Sequence, residues 1–572
     1  MRADLIRVYK SVHTWTGILS GMALFIAFYA GALTVFKEPL MRWATPPSPS
    51  ASVTQWWPLE DTPALIAKTL AQHPAAAREF TIHLQATESQ AGRLQWKVRG
   101  APEADDHDES STRHYVATLD AAGQALVHET HPAELAGFID VLHRVVGLPF
   151  DTDPNRWLMG VVAGLYTLAL VSGVVVLLPS LVKDFFALRV GKNLKRMWLD
   201  AHNVVGIISL PFHLVMALTA VVFAFHDPIY DLQNKVLHGG QWRTGPPRAA
   251  APADAAARSP EALLAPARLV ASAKALSPSF EPYQVQYQNA TGPRPVAQVW
   301  GHDPTAVSPR ARGGFVALDP YTGQVLSTDY LPGRQSAPLQ VISSFFALHM
   351  ASFGGAAVQW MYFGLGLAGA WLFYSGNLLW VESRRRRALP KAAASPLQRL
   401  DVRLMAAATV GVCLGCVCGI SLMLVAHKWL GALAHGGSAA RVSYYATFFA
   451  ALAWSFWQGG ARAAVHLLWA ASGLTLAIPL TSALAWLLPG LGPWVHGSPA
   501  ALGVDATALV GGLLLAWMAR LTQRRVRQGP TDSVWSGVPP APGSASAAPV
   551  PGPAQPAARA ASAEPLGLGP RA

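Results

Sequence analysis

The sequence predicts an integral membrane α-helical bundle of about eight transmembrane helices, with two α+β modules outside the bilayer. Three observations lead there. Of 572 residues, 52% are hydrophobic and only 13% are charged, whereas about a quarter of a soluble domain is charged. Basic residues cluster beside the apolar runs, most densely in the RRRR of Arg384–Arg387. Two long polar stretches interrupt those runs and repeat one short motif. The formal charge of +12 does not indicate nucleic acid. The lysines and arginines follow the positive-inside pattern of membrane helices rather than lining a groove for phosphates.

Residues 1–44 hold the first span. Arg2, Arg7 and Lys10 precede an apolar run from Val12 to Phe36, which Lys37-Glu38-Pro39 follows. The run is longer than a signal-peptide core and reads as a retained helix with a cytoplasmic N-terminus. Residues 45–140 form a first polar module. Residues 141–226 hold the second span, Trp157–Leu178, and the third, about 199–225. A short loop with Lys183, Arg189, Lys192, Lys195 and Arg196 joins them. Residues 227–338 form a second polar module, and 339–388 hold the fourth span, which ends in the arginine cluster. Both basic loops then share the cytoplasmic side of the inner membrane, and both modules lie in the periplasm.

The modules share a motif. YVATLDAAGQALV (115–127) resembles FVALDPYTGQVLS (315–327). Each reads as a strand, a turn around Asp and Gly, and a second strand, which points to an internal duplication. Residues 389–528 add four apolar runs, near 404–426, 442–458, 463–487 and 503–521. The Pro/Ala-rich tail, 529–572, lacks the apolar residues to bury a core and is expected to be disordered.

The chemistry lies in histidines at matched depths. An imidazole in hydrocarbon is costly unless its nitrogens find partners. His13 and His202 begin the first and third spans on the cytoplasmic side. His143 precedes the second span and His349 begins the fourth, both on the outer side. Depth therefore pairs His13 with His202 and His143 with His349. HTWTG, HRVVG and HNVVG place Gly17, Gly147 and Gly206 one turn from a histidine, on the same helix face. A missing Cβ there leaves room for a flat macrocycle. In HMASFGG the glycines, Gly354 and Gly355, stand farther on.

Two readings fit these residues. They are interfacial histidines with ordinary hydrogen-bond partners, or they are axial ligands of haem iron, which imidazole suits. Zinc fits less well, because no Cys or carboxylate stands at those depths. A haem with both axial positions filled moves electrons rather than binding oxygen. One near each face would divide a hydrocarbon core of about 30 Å into two steps.

His213 lies on the same face as His202 if the third span is one helix, roughly 16 Å deeper. It is expected to ligate a mid-membrane haem, to bond a propionate, or to donate to a carbonyl freed by Pro211. His226 beside Asp227 reads as an interfacial pair. Cys413, Cys416 and Cys418 read as small packing residues, and DDHDES (105–110) as a solvated loop. The sequence holds no Rossmann fingerprint, P-loop or nucleophile elbow. The inner loops are too short for a nicotinamide or flavin domain, so an electron donor must be a separate cytosolic reductase or a quinol.

With those residues in view, the chain resembles the PepSY-associated transmembrane family. The matching stretches are VHTWTGILSG (12–21), LHRVVGLPF (142–150), DAHNVVGIISLPFHLVMALTAVVF (200–223) and LHMASFGGAAVQWMYFGLGLAGAWLFYSG (348–376). The outer modules are similar to PepSY domains. The family includes iron-regulated inner-membrane proteins and ferrisiderophore reductases. The resemblance implies a four-helix core with two haems b, held at the positions matching His13, His143, His202 and His349. It also implies electrons passing to a ferric siderophore, or another periplasmic acceptor. The alternative is a non-enzymatic PepSY-bearing membrane sensor or protease-regulating protein. A permease fits least, because charged residues are nearly absent from the middle of the first four spans. The four added C-terminal helices depart from relatives that end after the fourth.

Overall fold

In the computed structural model, the residues described are 2–47, 59–85, 92–99, 112–120, 122–148, 155–186, 194–237, 258–310, 313–387, 400–430 and 438–529, with Gly239, Ser533 and Trp535. The DDHDES stretch and nearly all of the tail lie outside them.

The apolar run after Lys10 forms α1 (Ala3–Thr34). The backbone leaves the helix at Phe36, and α2 (Lys37–Ala44) follows. Pro39 falls in its first turn, where a missing N–H costs no helical bond. The first module then comprises α3 (Thr62–Gln72), β1 (Glu79–His83), β2 (Leu94–Arg99), β3 (Thr112–Leu119) and β4 (Ala125–Thr130). Helix α4 (Leu135–Arg144) leads to the second span, α5 (Asn155–Leu177), and to the short α6 (Leu181–Phe185).

The third span is not one helix. It is α7 (Leu194–Ile208) and α8 (Leu210–Ala224), bent by 67° at Ser209. Pro211 stands in the first turn of α8, lacks an N–H, and its ring opposes a continuous helix through residue 207. Then come α9 (His226–Leu237), α10 (Pro266–Leu276), β5 (Glu281–Gln288), β6 (Val296–His302), β7 (Gly314–Leu318) and β8 (Val325–Ser327). Helix α11 (Ala337–Met350) precedes the long α12 (Gly355–Arg387). The C-terminal unit is α13 (Leu400–Leu430), α14 (Ser438–Gln458), α15 (Gly460–Leu487) and α16 (Pro499–Gln528).

Six helices are long and apolar enough to span, or seven with the bent pair as one span, among the described residues. This is fewer than the eight expected. The difference is α14, whose 21 residues include Arg441, Ser438, Ser443 and Gln458, which dilute its apolar character.

The two modules do not stand apart. Their strands form one sheet of eight, in the order β4-β3-β2-β1-β5-β6-β7-β8. The seam is an antiparallel pairing of β1 with β5, with Phe80 opposite Tyr287 and Ile82 opposite Val285. Each half is a helix followed by four antiparallel strands, so the halves correspond element by element. The shared motif forms the β3–β4 and β7–β8 turns. Asp120 Oδ1 accepts from Gln124 N at 2.8 Å, and Asp319 Oδ1 accepts from Tyr321 N at 2.8 Å. Gly123 and Gly323 adopt φ of 72° and 75°, a region that favours glycine. One sheet face buries Phe80, Ile82, Leu94, Val285, Tyr287 and Val299 against α3 and α10.

In the membrane part, α1 packs against α5 and α12, α8 against α5, and α7 against α12. Thus α1 faces the bent α7–α8 pair across a four-membered ring. Helix α13 lies against α1 and α12 and binds α14 through Gly411, Gly415 and Gly419. A Cβ at these positions would lie 2.9 Å from Leu452 Cα, 3.2 Å from Phe448 O and 2.8 Å from Tyr444 Cδ2. Glycine every fourth residue lets two membrane helices approach closely. Cys413, Cys416 and Cys418 are buried and unbridged in the same cluster as α1, α2 and α4, as packing residues would be.

Candidate functional site

Each of the four depth-matched histidines is tied down through Nδ1. His13 Nδ1 donates to Ala169 O on α5 at 2.8 Å, and His143 Nδ1 donates to Ala27 O on α1 at 2.7 Å. A carbonyl only accepts, so both rings carry the proton on Nδ1. The other two bind hydroxyls. His202 Nδ1 lies 3.1 Å from Ser375 Oγ on α12, and His349 Nδ1 lies 2.8 Å from Thr219 Oγ1 on α8. Those hydroxyls donate their own protons to Leu372 O at 3.2 Å and to Val215 O at 2.7 Å. While they do so, each has a lone pair that can accept from its imidazole. His13 and His143 therefore carry the lone pair on Nε2, His202 and His349 can share that tautomer, and the four Nε2 atoms make no hydrogen bond among the described residues.

Two of the rings meet. His143 and His349 have centroids 6.0 Å apart, at 41° between planes. Two metal–imidazole bonds of about 2 Å each, in line, plus the two half-rings, also place ring centres roughly 6 Å apart. His13 lies within electrostatic reach of His202, on opposite members of the ring of helices. Among the described residues, no group of three or more His, Cys, Asp or Glu converges as a metal site. Pairs suit the two axial positions of a haem. Zinc takes three or four protein ligands.

Glycines make room for the imidazoles, but from neighbouring helices. A Cβ on Gly31 of α1 would lie 2.7 Å from His143 Nδ1, and one on Gly173 of α5 would lie 2.9 Å from His13 Nδ1. Gly376 of α12 faces His202 Cε1 at 3.3 Å. The glycines within the HxxxG stretches serve otherwise. Gly17 and Gly206 border open space, where a Cβ would meet nothing within 4 Å. Gly147 lies beyond the end of α4, not on its face. At φ 80° it turns the chain out of the helix, with Val146 at φ 49° before it.

Two placements differ from expectation. His349 does not begin the fourth span. It stands in the last turn of α11, and the chain breaks at Ala351 and Gly354, at φ 52° and 65°, before Gly355 at φ 64° opens α12. His213 does not continue the face of His202, because the bend at Ser209 separates them. It is 3% exposed, with Nδ1 2.6 Å from Tyr166 Oη and its ring among Phe28, Phe212 and Phe373. Its Nε2 is buried with no hydrogen-bond partner among the described residues, and, like His13, it lies within electrostatic reach of His202. His226 has both nitrogens engaged, Nδ1 with Phe223 O at 2.7 Å and Nε2 with Asp227 Oδ1 at 2.9 Å.

The outer pair rests on elements tied to the sheet and to α2. The Arg310 guanidinium lies over Tyr330 and over Phe346 of α11, 5.0 and 5.2 Å from the ring centres. Lys37 Nζ binds Asp140 Oδ2 of α4 at 3.0 Å. Burial pushes the Asp140 carboxyl up, but Lys37, Arg144 and His143 outweigh it and hold it below the usual carboxylate range.

Among curated proteins, none matches the chain. The family model for the PepSY-associated TM region matches residues 10–383, a span that includes all four histidines, and the chain therefore belongs to the PepSY-associated transmembrane family.

Proposed function

We propose that the protein transfers electrons across the bacterial inner membrane through two haems b. His13 and His202 would hold one on the cytoplasmic side. His143 and His349 would hold the other on the periplasmic side, for reduction of ferric siderophores during iron uptake. The observation that carries this reading is that all four histidines are held at Nδ1, with Nε2 unbonded among the described residues, and that His143 and His349 meet ring to ring. Metal-bound histidines are held in this way, since an acceptor on the second nitrogen fixes tautomer and orientation. A haem with two imidazole ligands supplies one-electron transfer without an open iron site.

The chain's own residues set the rest. Along α1, His13 and Ala27 are separated by roughly 21 Å, most of the ~30 Å core. Next to Ala27, Phe28 packs with Tyr166, Phe212, His213 and Phe373, a cluster of rings inside the ring of helices. A sheet cannot straddle a bilayer, so an even number of crossings separates β4 from β5. That count makes α5 one span and α7–α8 another. The basic ends of the spans, at Arg2, Arg7, Lys10, Lys183, Arg196 and Arg384, then lie opposite the sheet, on the cytoplasmic side. Siderophore oxygens are hard ligands that favour Fe(III), so a one-electron reduction at the outer pair loosens the iron.

The test is the purified full-length protein. The expected result is two haems per chain, with a sharp redox-sensitive absorption band that dithionite reduces. A ferric siderophore then reoxidises the band faster than buffer alone. A colourless, haem-free preparation would reject the reading in favour of a sensor or protease regulator. A haem-bearing protein that siderophores leave reduced would reject only the acceptor.

A further inference from the structure

We infer that the C-terminal four-helix unit, which lies beyond the family match, positions the outer histidine pair. Tyr445 of α14 holds α4, and with it His143, in place against α1. The inference rests on the haem reading above and adds a role for the residues that reading leaves unused.

Helix α4 is short, ten residues, and is not a span, so its depth must be fixed by what it touches. One flank packs on α1, where His143 reaches Ala27 O. The other flank belongs to the C-terminal unit. Tyr445 Oη donates to Leu148 O, just past the end of α4, at 2.6 Å. Phe138 of α4 lies edge-on to Tyr444 and Tyr445, with ring centres 5.5 and 5.9 Å apart. Tyr444 in turn sits in the notch left by Gly419 on α13. The seat is therefore built from two helices outside the core.

The same unit fixes α2, the other neighbour of α4. The last carbonyls of α2 lack helical partners, as at any helix end. Three side chains of the C-terminal unit supply them: Trp494 Nε1 donates to Trp43 O at 3.3 Å, His427 Nε2 to Ala44 O at 2.9 Å, and His496 Nε2 to Thr45 O at 2.7 Å. Trp43 Nε1 donates to Asp505 Oδ1 at 3.0 Å, and Lys428 Nζ lies 3.7 Å from the centre of the Trp43 ring. Lys37 of this anchored α2 pairs with Asp140, three residues before His143. The inner pair differs. Its acceptors, Ala169 and Ser375, belong to α5 and α12, and none of these bonds reaches them. Helix α13 also packs on α1 and α12, so the selectivity lies in the hydrogen bonds, which reach α2 and the end of α4 but neither Ala169 nor Ser375.

The test compares the full-length protein with Tyr445→Phe, which keeps the ring and loses the donor, and with Tyr445→Ala. Trp454→Phe serves as the control, since Trp454 bonds His466 within the C-terminal unit. Two quantities are read: amide hydrogen exchange over residues 135–148, and the midpoint potentials of the two haems. For Tyr445→Phe the expected result is exchange about fivefold faster in α4, the range for one lost hydrogen bond. One potential shifts while the other stays, and haem content remains two. Tyr445→Ala gives a larger effect with the same selectivity, and Trp454→Phe gives none. Unchanged α4 exchange in both Tyr445 variants would overturn the inference, as would equal shifts of both potentials. A parent protein without haem would reject the proposed function instead. The exchange measurement would then decide on the α4 contact by itself.

Discussion

Thr219 Oγ1 bridges His349 Nδ1 and the carbonyl of Val215, so it can accept the imidazole proton while giving its own to the helix. Oγ1 lies 2.8 Å from His349 Nδ1 and 2.7 Å from Val215 O. Thr219→Val keeps the shape and removes the acceptor. It should leave a buried N–H unsatisfied, at about 1–3 kcal/mol. Loss of such a partner typically lowers metal affinity about 10–100-fold. Haem retention during dilution should fall at one site only, with Thr219→Ser close to the parent. Equal retention in Thr219→Val and the parent would contradict the assignment.

The two pairs should fail independently. His202→Ala is expected to remove one haem and leave the other reducible by dithionite. Gly31→Ala should do the converse, because its Cβ would lie 2.7 Å from His143 Nδ1, closer than real contacts allow. Pyridine haemochrome titration of both variants gives the count. Two haems remaining in His202→Ala would break the pairing drawn here.

His213 should be dispensable for haem. His213→Phe fills the ring space and leaves Tyr166 with the residue 213 carbonyl, 3.1 Å away. The lost imidazole bond should cost ~1 kcal/mol, seen as a slightly lower melting temperature in detergent. Haem stoichiometry should stay at two. A halved haem content would make His213 a ligand after all.

Acid should weaken the sheet at its seam. His83 ends β1, and its backbone register places it opposite Gln284 of β5. Burial is the main force holding its pKa down at about 4, with Arg93 adding to it. The folded state thus resists a proton that the unfolded chain accepts near its ordinary value of 6.5. Stability present above pH 6.5 is lost as pH falls toward 4. Melting curves of the parent should drop across that interval, and those of His83→Gln should drop less. Parallel curves would show that another group governs the acid response.

The meeting of His143 with His349 is legible in sequence, because each stands just before an apolar run on the same expected side. The hydrogen-bond partners of the histidines are not. Ala27 and Ala169 contribute only backbone carbonyls, which leave no trace in residue type, and Gly31 and Gly173 lie far in sequence from the rings they face. Pro211 was visible, but the size of the bend it permits depends on how α7 and α8 pack on α12 and α5. The strand–turn–strand motif announced the likeness of the modules. Nothing local in EFTIH or EPYQVQYQ reveals that β1 and β5 choose each other, since edge pairing is a non-local event.

That seam orders the biogenesis of the protein. Residue 79 emerges long before residue 288, and β1 has no partner on its open edge until α5, α7 and α8 have inserted and β5 has followed. A mis-threaded hairpin would strand the two halves on opposite faces, each with a bare edge open to proteases and to sticky neighbours. Sheet closure therefore doubles as a proofreading step: only a chain threaded correctly through the bilayer can hide both edges.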